Sequence, residues 1–479
     1  MTILVIDAGT SSIRAAIVEG GAVVAEERQA TPPTSPSPGL VELDPRALAA
    51  TAVELGRQMI EGHGPVAAVG IANQRASTIV WDRATGEPVG AGLGWQDLRT
   101  LGTCLELAGE GLRLAPNQTA TKASWLWDQV DAERDRDLCV GTVDSWLVWS
   151  LADGDRHVTD VTNAGMTGLL AHDAGGWDAG VTDRLRVPLG ALPEIVDSSG
   201  FVGEAVALPG SPPITALAGD QQASLVGQGC VSPGQAKITF GTGGMLDLCL
   251  GARRPAFDLR GENGSFPIAS WRLDGELTWG AEAIMLTAGT CVEWLRDDLG
   301  LIETAAQSHD LAAGCTDTGG VWFVPALVGL GTPHWDYGAR GTLVGITRGT
   351  GRAEIARAVL TGVAQRGADL VAAAEADCGV AIPSLRVDGG MSDNPTFVQA
   401  LADAVQRPVE LSAELEATAL GAGLLAGLAT GEWADLAETA AAWSPRQVVE
   451  PAGPGRRDEW QAAVERSRGW IPDLSALDF

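Results

Sequence analysis

ILVIDAGTSSIR, from Ile3 to Arg14, decides how the rest of the chain is read. Its first half is apolar and rich in β-branched residues, the composition of a buried strand. It then runs into Asp7-Ala8-Gly9-Thr10, where glycine lets the backbone turn sharply. Such a turn leaves backbone N–H groups and hydroxyls pointing outward, which suits an oxyanion or a phosphate. The same plan recurs as AKITFGTGG, from Ala236 to Gly244. Two strand–turn units in one chain imply two lobes that grip one polyphosphate from both sides. For either unit alone, an ordinary β-hairpin with polar turn residues is the plainer alternative.

Outward from Ile3, the first half alternates strands with helices. Strands are expected at Ile3–Asp7, Ala15–Val18, Ala22–Glu27, Val66–Asn73 and Thr78–Asp82. Thr31 to Gly39 (TPPTSPSPG) is a proline-rich loop, and Asp44-Pro45 reads as an N-cap with proline at the first helical position. Further helices are expected after Thr121 and at Asp144–Leu151. The second half repeats the order: a strand at Lys237–Phe240, a long helix from Arg352 to about Ala376, and a strand at Ser384–Val387. Helices follow near Asn394 and over Thr418–Ala429. The fold class is therefore α/β, with two domains, residues 1–229 and 230–479, and a cleft between them.

The 479 residues are enough for two full cores, and 45% of them are hydrophobic. Net charge is -29, and a polyanion repels nucleic acid and anionic membranes, so neither is an expected partner. No apolar run spans a bilayer and no basic, then apolar leader opens the chain, so a cytoplasmic location is expected. Nearly every basic residue is Arg, the two lysines being Lys122 and Lys237. The seven cysteines make no C-x-x-C pair and read as reduced, mostly buried thiols.

Four stretches carry chemistry. Asp7 ends a strand, where a carboxylate can hold Mg²⁺, often through water. Thr10, Ser11 and Ser12 offer hydroxyls and N–H groups, and Arg14 a charged fork for phosphate. Gly219-Asp220-Gln221-Gln222 precedes a helical pattern, so Asp220 is either its N-cap or a general base at a cleft wall. Gly241-Thr242-Gly243-Gly244 follows closely, which favours the base. Asp388-Gly389-Gly390-Met391-Ser392-Asp393-Asn394 is either a tight strand-to-helix turn or a place where a flat group, such as adenine with its ribose, approaches the backbone. Gly421-Ala422-Gly423, inside a helical pattern, reads as close helix packing rather than a dinucleotide loop.

In this order, DAGTSSIR, GDQQ, FGTGG and DGGMSDN resemble the FGGY carbohydrate kinases, of the actin, hexokinase and heat-shock chaperone superfamily. The likeness is strongest to the glycerol kinases and runs almost end to end. It includes GLVELDP, NQRASTIVWDRATG, GLGTPHWDYGARGTLVGITRG and ATALGAGLLAGLATG. The resemblance implies two actin/hexokinase-like (ribonuclease H-like) domains and ATP-dependent phosphorylation of glycerol or a related small polyol. The alternatives it leaves are a larger sugar (a tetritol, a pentitol or a ketose such as xylulose) and a non-kinase ATPase of the same fold. It implies ATP and Mg²⁺ as cofactors, and family members often form dimers or tetramers.

Carried over residue by residue, the resemblance makes Asp220 the base that takes the acceptor hydroxyl's proton. Thr10, Ser11, Ser12 and Arg14 match phosphate contacts, with Asp7 near Mg²⁺. Gly241, Thr242, Gly289, Gly390 and Asn394 match nucleotide contacts, and Glu293 stands where a nucleotide-contacting Gln is usual. Arg75, Trp95, Asp220 and Gln221 match polyol contacts. Three positions depart: Ala76 replaces a glycerol-binding Glu, Asn117 a Tyr, and Met245 an aromatic wall. Losing a charged hydrogen-bond acceptor removes about 1.5–3 kcal/mol of binding, roughly tenfold to a hundredfold in affinity. Two readings follow. Either the larger pocket takes a polyol or sugar other than glycerol, or Asp97 or Gln96 replaces the lost contacts and glycerol still binds.

Overall fold

The computed structural model describes residues 1–478. Thr2–Ala8 (β1), Ser12–Glu19 (β2), Ala22–Ala30 (β3), Ala68–Asn73 (β4), Ser199–Glu204 (β5) and Pro213–Gly219 (β6) build one six-stranded sheet, ordered β5-β6-β4-β1-β2-β3. β1, β2 and β3 form an antiparallel meander, while β4 runs parallel to β1 and β6 parallel to β4.

Ala236–Phe240 (β7), Gly244–Gly251 (β8), Phe266–Leu273 (β9), Glu276–Met285 (β10), Leu385–Asp388 (β11), Val409–Ser412 (β12) and Pro445–Val449 (β13) build a seven-stranded sheet, ordered β9-β10-β8-β7-β11-β12-β13. β7 again turns into an antiparallel partner, β8, and has a parallel strand, β11, on its other side. The strand–turn unit is thus duplicated in topology, with each Gly-Thr turn at the same end of an equivalent strand pair. Expected boundaries shift by one to three residues, the ordinary fraying of element ends.

The helices are Pro45–His63 (α1), Thr119–Val130 (α2), Val143–Leu151 (α3), Asp220–Gly227 (α4), Arg352–Cys378 (α5), Pro395–Val405 (α6) and Ala417–Ala429 (α7), with shorter turns between them. α1 begins as its sequence requires. Asp44 Oδ1 accepts the N–H groups of Arg46 (2.9 Å) and Ala47 (3.2 Å), and Pro45 needs no acceptor. Its buried Leu48, Ala52, Leu55 and Met59 share a core with Leu4, Ile6 and Ile17 of the first sheet.

α7 belongs to the second half of the chain but lies against the first sheet. A Cβ on Gly70 of β4 would sit 2.6 Å from the Ala422 carbonyl oxygen. Ser199 Oγ donates to the Leu425 carbonyl (2.7 Å) and Thr215 Oγ1 to that of Ala426 (3.3 Å). α7 also packs tightly on α4. Gly227 and Gly421 face each other there, with no room for a Cβ against the Ala417 and Ala223 carbonyls. The Gly421-Ala422-Gly423 run is therefore helix packing. Asp388, ending β11, accepts from Ser224 Oγ (3.1 Å) and Gln228 Nε2 (2.7 Å), which fastens the second sheet to α4 and the residue just after it. All seven cysteines are free, and among the described residues no helix is long and apolar enough to cross a membrane.

Candidate active site

The first turn hangs from the β1–β2 hairpin. Register places Asp7 opposite Arg14, and Gly9 N–H closes the turn on the Ser12 carbonyl (3.0 Å). Arg14 lies 3.8 Å from Asp7 Oδ2 and 3.2 Å from Glu26 Oε2, and also pairs with Glu416. Burial pushes the Asp7 carboxyl up to about 6; Arg14 opposes the shift and the Asp220 charge adds to it. Asp7, next to last in β1, and Asp220, just after β6, therefore share one electrostatic neighbourhood although they belong to different elements. Thr10 Oγ1 accepts from Trp95 Nε1 (3.0 Å), tying the turn to the wall expected to contact the acceptor. Ser11 is exposed, and Ser12 Oγ accepts from Arg28 Nε (2.8 Å).

Beside this turn, β4 and β6 end next to each other and deliver Arg75 and Asp220. Arg75 Nε is 3.5 Å from Asp220 Oδ1, and its Nη1 donates to Gln222 Oε1 (3.4 Å). The aliphatic stem of Arg75 crosses the last residue of β6, Gly219. A Cβ there would stand 2.7 Å from Arg75 Cδ and 2.8 Å from Cγ. Asp220 opens α4 without capping it. Gly219 occupies the cap position, and Asp220 Oδ1 accepts only the neighbouring Gln221 N–H (2.8 Å). Its side chain keeps 28% exposure, so one carboxylate edge is open to a substrate. Burial raises its pKa against the pull of Arg75, which makes it a stronger base than a free carboxylate.

The walls of this corner are held from behind. Lys122, fully buried on α2, donates to the carbonyls of Gly94 (2.7 Å), Trp95 (3.1 Å) and Asn117 (3.3 Å). Ala76 is buried with φ 61°, and its carbonyl accepts from Thr78 Oγ1 (3.2 Å) and Thr119 Oγ1 (3.1 Å). The Met245 sulfur lies 3.8 Å from Arg75 Nη2. Asp97 offers no substitute for a carboxylate at position 76. It is fully buried, and its oxygens accept from Val41 N and from three N–H groups of Arg99.

The second turn collects the remaining candidates. Gly289 N–H donates to the Gly241 carbonyl (2.8 Å), and a Cβ on Gly289 would lie 2.6 Å from that oxygen. The Thr242 carbonyl accepts from Ala288 N (2.8 Å). Gly389 has φ 86° and leaves no room for a Cβ against the Phe240 backbone, so Gly390 emerges beside the same turn. Glu293 is exposed at the end of the short helix Gly289–Glu293. Asn394 caps α6 through Phe397 N (3.1 Å) and donates to Ser308 Oγ (2.9 Å). A cavity of about 310 Å³ lies elsewhere, against the C-terminal residues, and contains none of these groups.

Three groups behind the acceptor corner were given no site role by the sequence: Lys237, Asp247 and Glu282. Glu282 pairs with Arg75 at 2.6 Å, and Lys237 with Asp247 at 2.8 Å. One signal was visible beforehand. Lys237 is one of two lysines in a chain that otherwise uses arginine, and it sits inside an apolar strand.

Paired nucleotide-style turns on duplicated sheets, with a carboxylate–guanidinium corner between them, define a phosphoryl-transfer architecture. Residues 2–227 match the FGGY family of carbohydrate kinases, N-terminal domain, and residues 236–430 its C-terminal domain. The chain belongs to this family. It is 42% identical to a glycerol kinase of Alkalilimnicola ehrlichii, covering 98% of this chain and 99% of that one. A glycerol kinase of Rhodospirillum centenum is 41% identical with the same coverages. Among solved structures, Plasmodium falciparum glycerol kinase with ADP superposes with a TM-score of 0.91 at 28% identity, covering 97% of this chain and 98% of that one. A gluconate kinase from Lactobacillus acidophilus shares the fold, with a TM-score of 0.86 at 20% identity.

Proposed function

We propose that the chain transfers the γ-phosphoryl group of ATP to a hydroxyl of a small neutral polyol, glycerol or a close homologue, with Asp220 as general base. The observation that carries this reading is Asp220 itself. It is a carboxylate of raised basicity, not spent on capping its helix, braced by Arg75 and partly open. It accepts the hydroxyl proton while Arg75, Gln221 and Trp95 orient the polyol. Thr10, Ser11, Gly241 and Thr242 offer phosphate donors from the two turns; their N–H groups have no protein partner among the described residues. Gly289, Gly390, Asn394 and Glu293 border the nucleoside. Arg14 and Ser12 face the same turn but are engaged by Glu416 and Arg28, so a phosphate must displace those contacts.

Asp7 suits a Mg²⁺ ion, because it is a half-buried carboxylate whose nearest cation is 3.8 Å away. Among the described residues no three acidic, His or Cys side chains group to hold a metal alone, which fits an ion carried mainly by phosphate oxygens and water. When bound, Mg²⁺ would neutralise charge on the phosphates. The division into lobes at residues 229 and 230 is supported by the two sheets, each built from one side of it.

The acceptor is neutral because the cations of the corner are engaged. Arg75 and Lys237 are each already paired with a buried carboxylate, so neither cation is free for a substrate anion. Full-length similarity to glycerol kinases supports glycerol. Ala76, with Asp97 committed to Arg99, supports room for a carbon or two more. A coupled ADP-release screen over glycerol, erythritol, threitol, pentitols and ketoses decides between them. Asp220→Asn should abolish transfer and leave ATP binding intact; parent-like turnover in that variant refutes the assignment.

A further inference from the structure

Asp247 on β8 and Glu282 on β10 stand directly opposite each other in the second sheet, 0% and 1% exposed. Like charges in register destabilise an antiparallel pair, and buried charges are costly unless paired. Each carboxylate has one cation. Glu282 meets Arg75 Nη2 at 2.6 Å, and Asp247 meets Lys237 Nζ at 2.8 Å. Each of these cations also touches the acceptor corner. Arg75 lies 3.5 Å from Asp220, and Lys237 donates to Gln221 Oε1 at 2.7 Å. The Lys237 ammonium donates to Gln221 Oε1 and Thr239 Oγ1 and is ion-paired with Asp247, so three groups fix its direction.

Arg75 and Gln221 follow strands of the first sheet, whereas Lys237, Asp247 and Glu282 belong to the second. Position 76 is alanine, so the residue beside Arg75 brings no carboxylate of its own to orient the guanidinium. We propose that Glu282 and Asp247 are positioning residues for acceptor recognition: Glu282 aims Arg75, and Asp247, through Lys237, aims Gln221. The proposal rests on the reading of Arg75 and Gln221 as acceptor contacts. Its consequence is that the polyol site is set by the second lobe although the first lobe supplies the contacting groups. The nucleotide turns are closed by bonds of their own, Gly9 N–H to the Ser12 carbonyl and Gly289 N–H to the Gly241 carbonyl.

The test is steady-state kinetics on the full chain with glycerol as the varied acceptor, alongside calorimetric ADP binding. Glu282→Gln should raise KM for glycerol ~10- to 100-fold, because the guanidinium loses its buried counter-charge. KM for ATP and ADP affinity should stay within about twofold. Glu282→Asp, which keeps the charge, should recover part of the loss. Asp247→Asn probes the other arm and should raise KM for glycerol in the same way, so the proposal remains testable if Glu282→Gln does not fold. Arg75→Ala is the control. An unchanged glycerol KM there refutes the acceptor assignment itself. A raised KM in Arg75→Ala with parent-like KM in the Glu282 and Asp247 variants overturns the positioning role alone. A parallel fall in ADP affinity also overturns it, because a purely structural pair would damage both sites.

Discussion

Gly219→Ala is the sharpest perturbation that the acceptor corner offers. The residue ends β6 at φ -60°, so alanine meets no backbone strain there. What it meets is Arg75. The new methyl would lie 2.7 Å from Cδ, 2.8 Å from Cγ and 2.8 Å from Gln222 Oε1. Carbon–carbon contacts settle near ~3.5–4.0 Å, so the stem must retreat by about 1 Å. It is not free to do so, because the guanidinium is held by Glu282 at 2.6 Å. Relieving the clash therefore stretches the buried Arg75–Glu282 ion pair. Overpacking at a buried site adds roughly 1–3 kcal/mol to the loss of stability. The expected result is a rise of ~10- to 100-fold in KM for the acceptor, with KM for ATP unchanged. A coupled ADP-release assay with each substrate varied in turn measures both. A parent-like acceptor KM in a folded Gly219→Ala protein would refute the claim that the lie of Arg75 across this glycine sets acceptor binding.

Other outcomes follow from the same contacts. Gly389→Ala places a methyl against the Phe240 backbone at φ 86° and should weaken ADP binding, seen by calorimetry, more than it alters acceptor KM. Gly421→Ala meets the Ala223 carbonyl at the α4–α7 contact and should lower the thermal midpoint by several degrees, checked by circular dichroism. Burial, opposed by Arg75 and reinforced by Asp247, lifts Glu282 from 4.5 to about 7, with Asp220 and Lys237 the other charges nearby. A raised folded-state pKa means that the folded chain holds a proton the unfolded chain has lost. This group's contribution is then fully present below pH 4.5 and lost as pH rises to about 7, on the order of a few kcal/mol. Denaturant unfolding across that window should show a flatter pH dependence in Glu282→Gln, and an unchanged slope would refute the shift.

Features written locally were legible in the sequence. Asp44-Pro45 names its own helix start, since cap and proline act within one turn. The Gly-Thr turns were visible because glycine and β-branched residues mark a strand ending in a tight bend. The small-residue helix announced close packing but not its partner. α7 covers β4 and β6 of the other half, and such a contact leaves no signal beyond an unusual run of glycine and alanine. The Glu282–Arg75 and Asp247–Lys237 pairs were illegible for the same reason, since each carboxylate is unremarkable until the strands are laid side by side.

Substrate choice lies where these two kinds of information meet. Ala76 keeps a left-handed backbone, φ 61°, which costs a residue with a Cβ about 1–2 kcal/mol. The conformation persists because its carbonyl is held by Thr78 and Thr119. Its neighbour Arg75 is anchored by Glu282 on the far side. The pocket backbone is therefore over-determined, and the acceptor site is altered by trimming a side chain on a fixed frame rather than by moving a loop. On the proposed reading of Asp220 as base, a frame fixed in this way would present the terminal hydroxyl to it in the same place whatever the length of the polyol behind it. Discrimination among polyols then falls to the space left beside Ala76, Asn117 and Met245, and should appear as differences in KM more than in kcat.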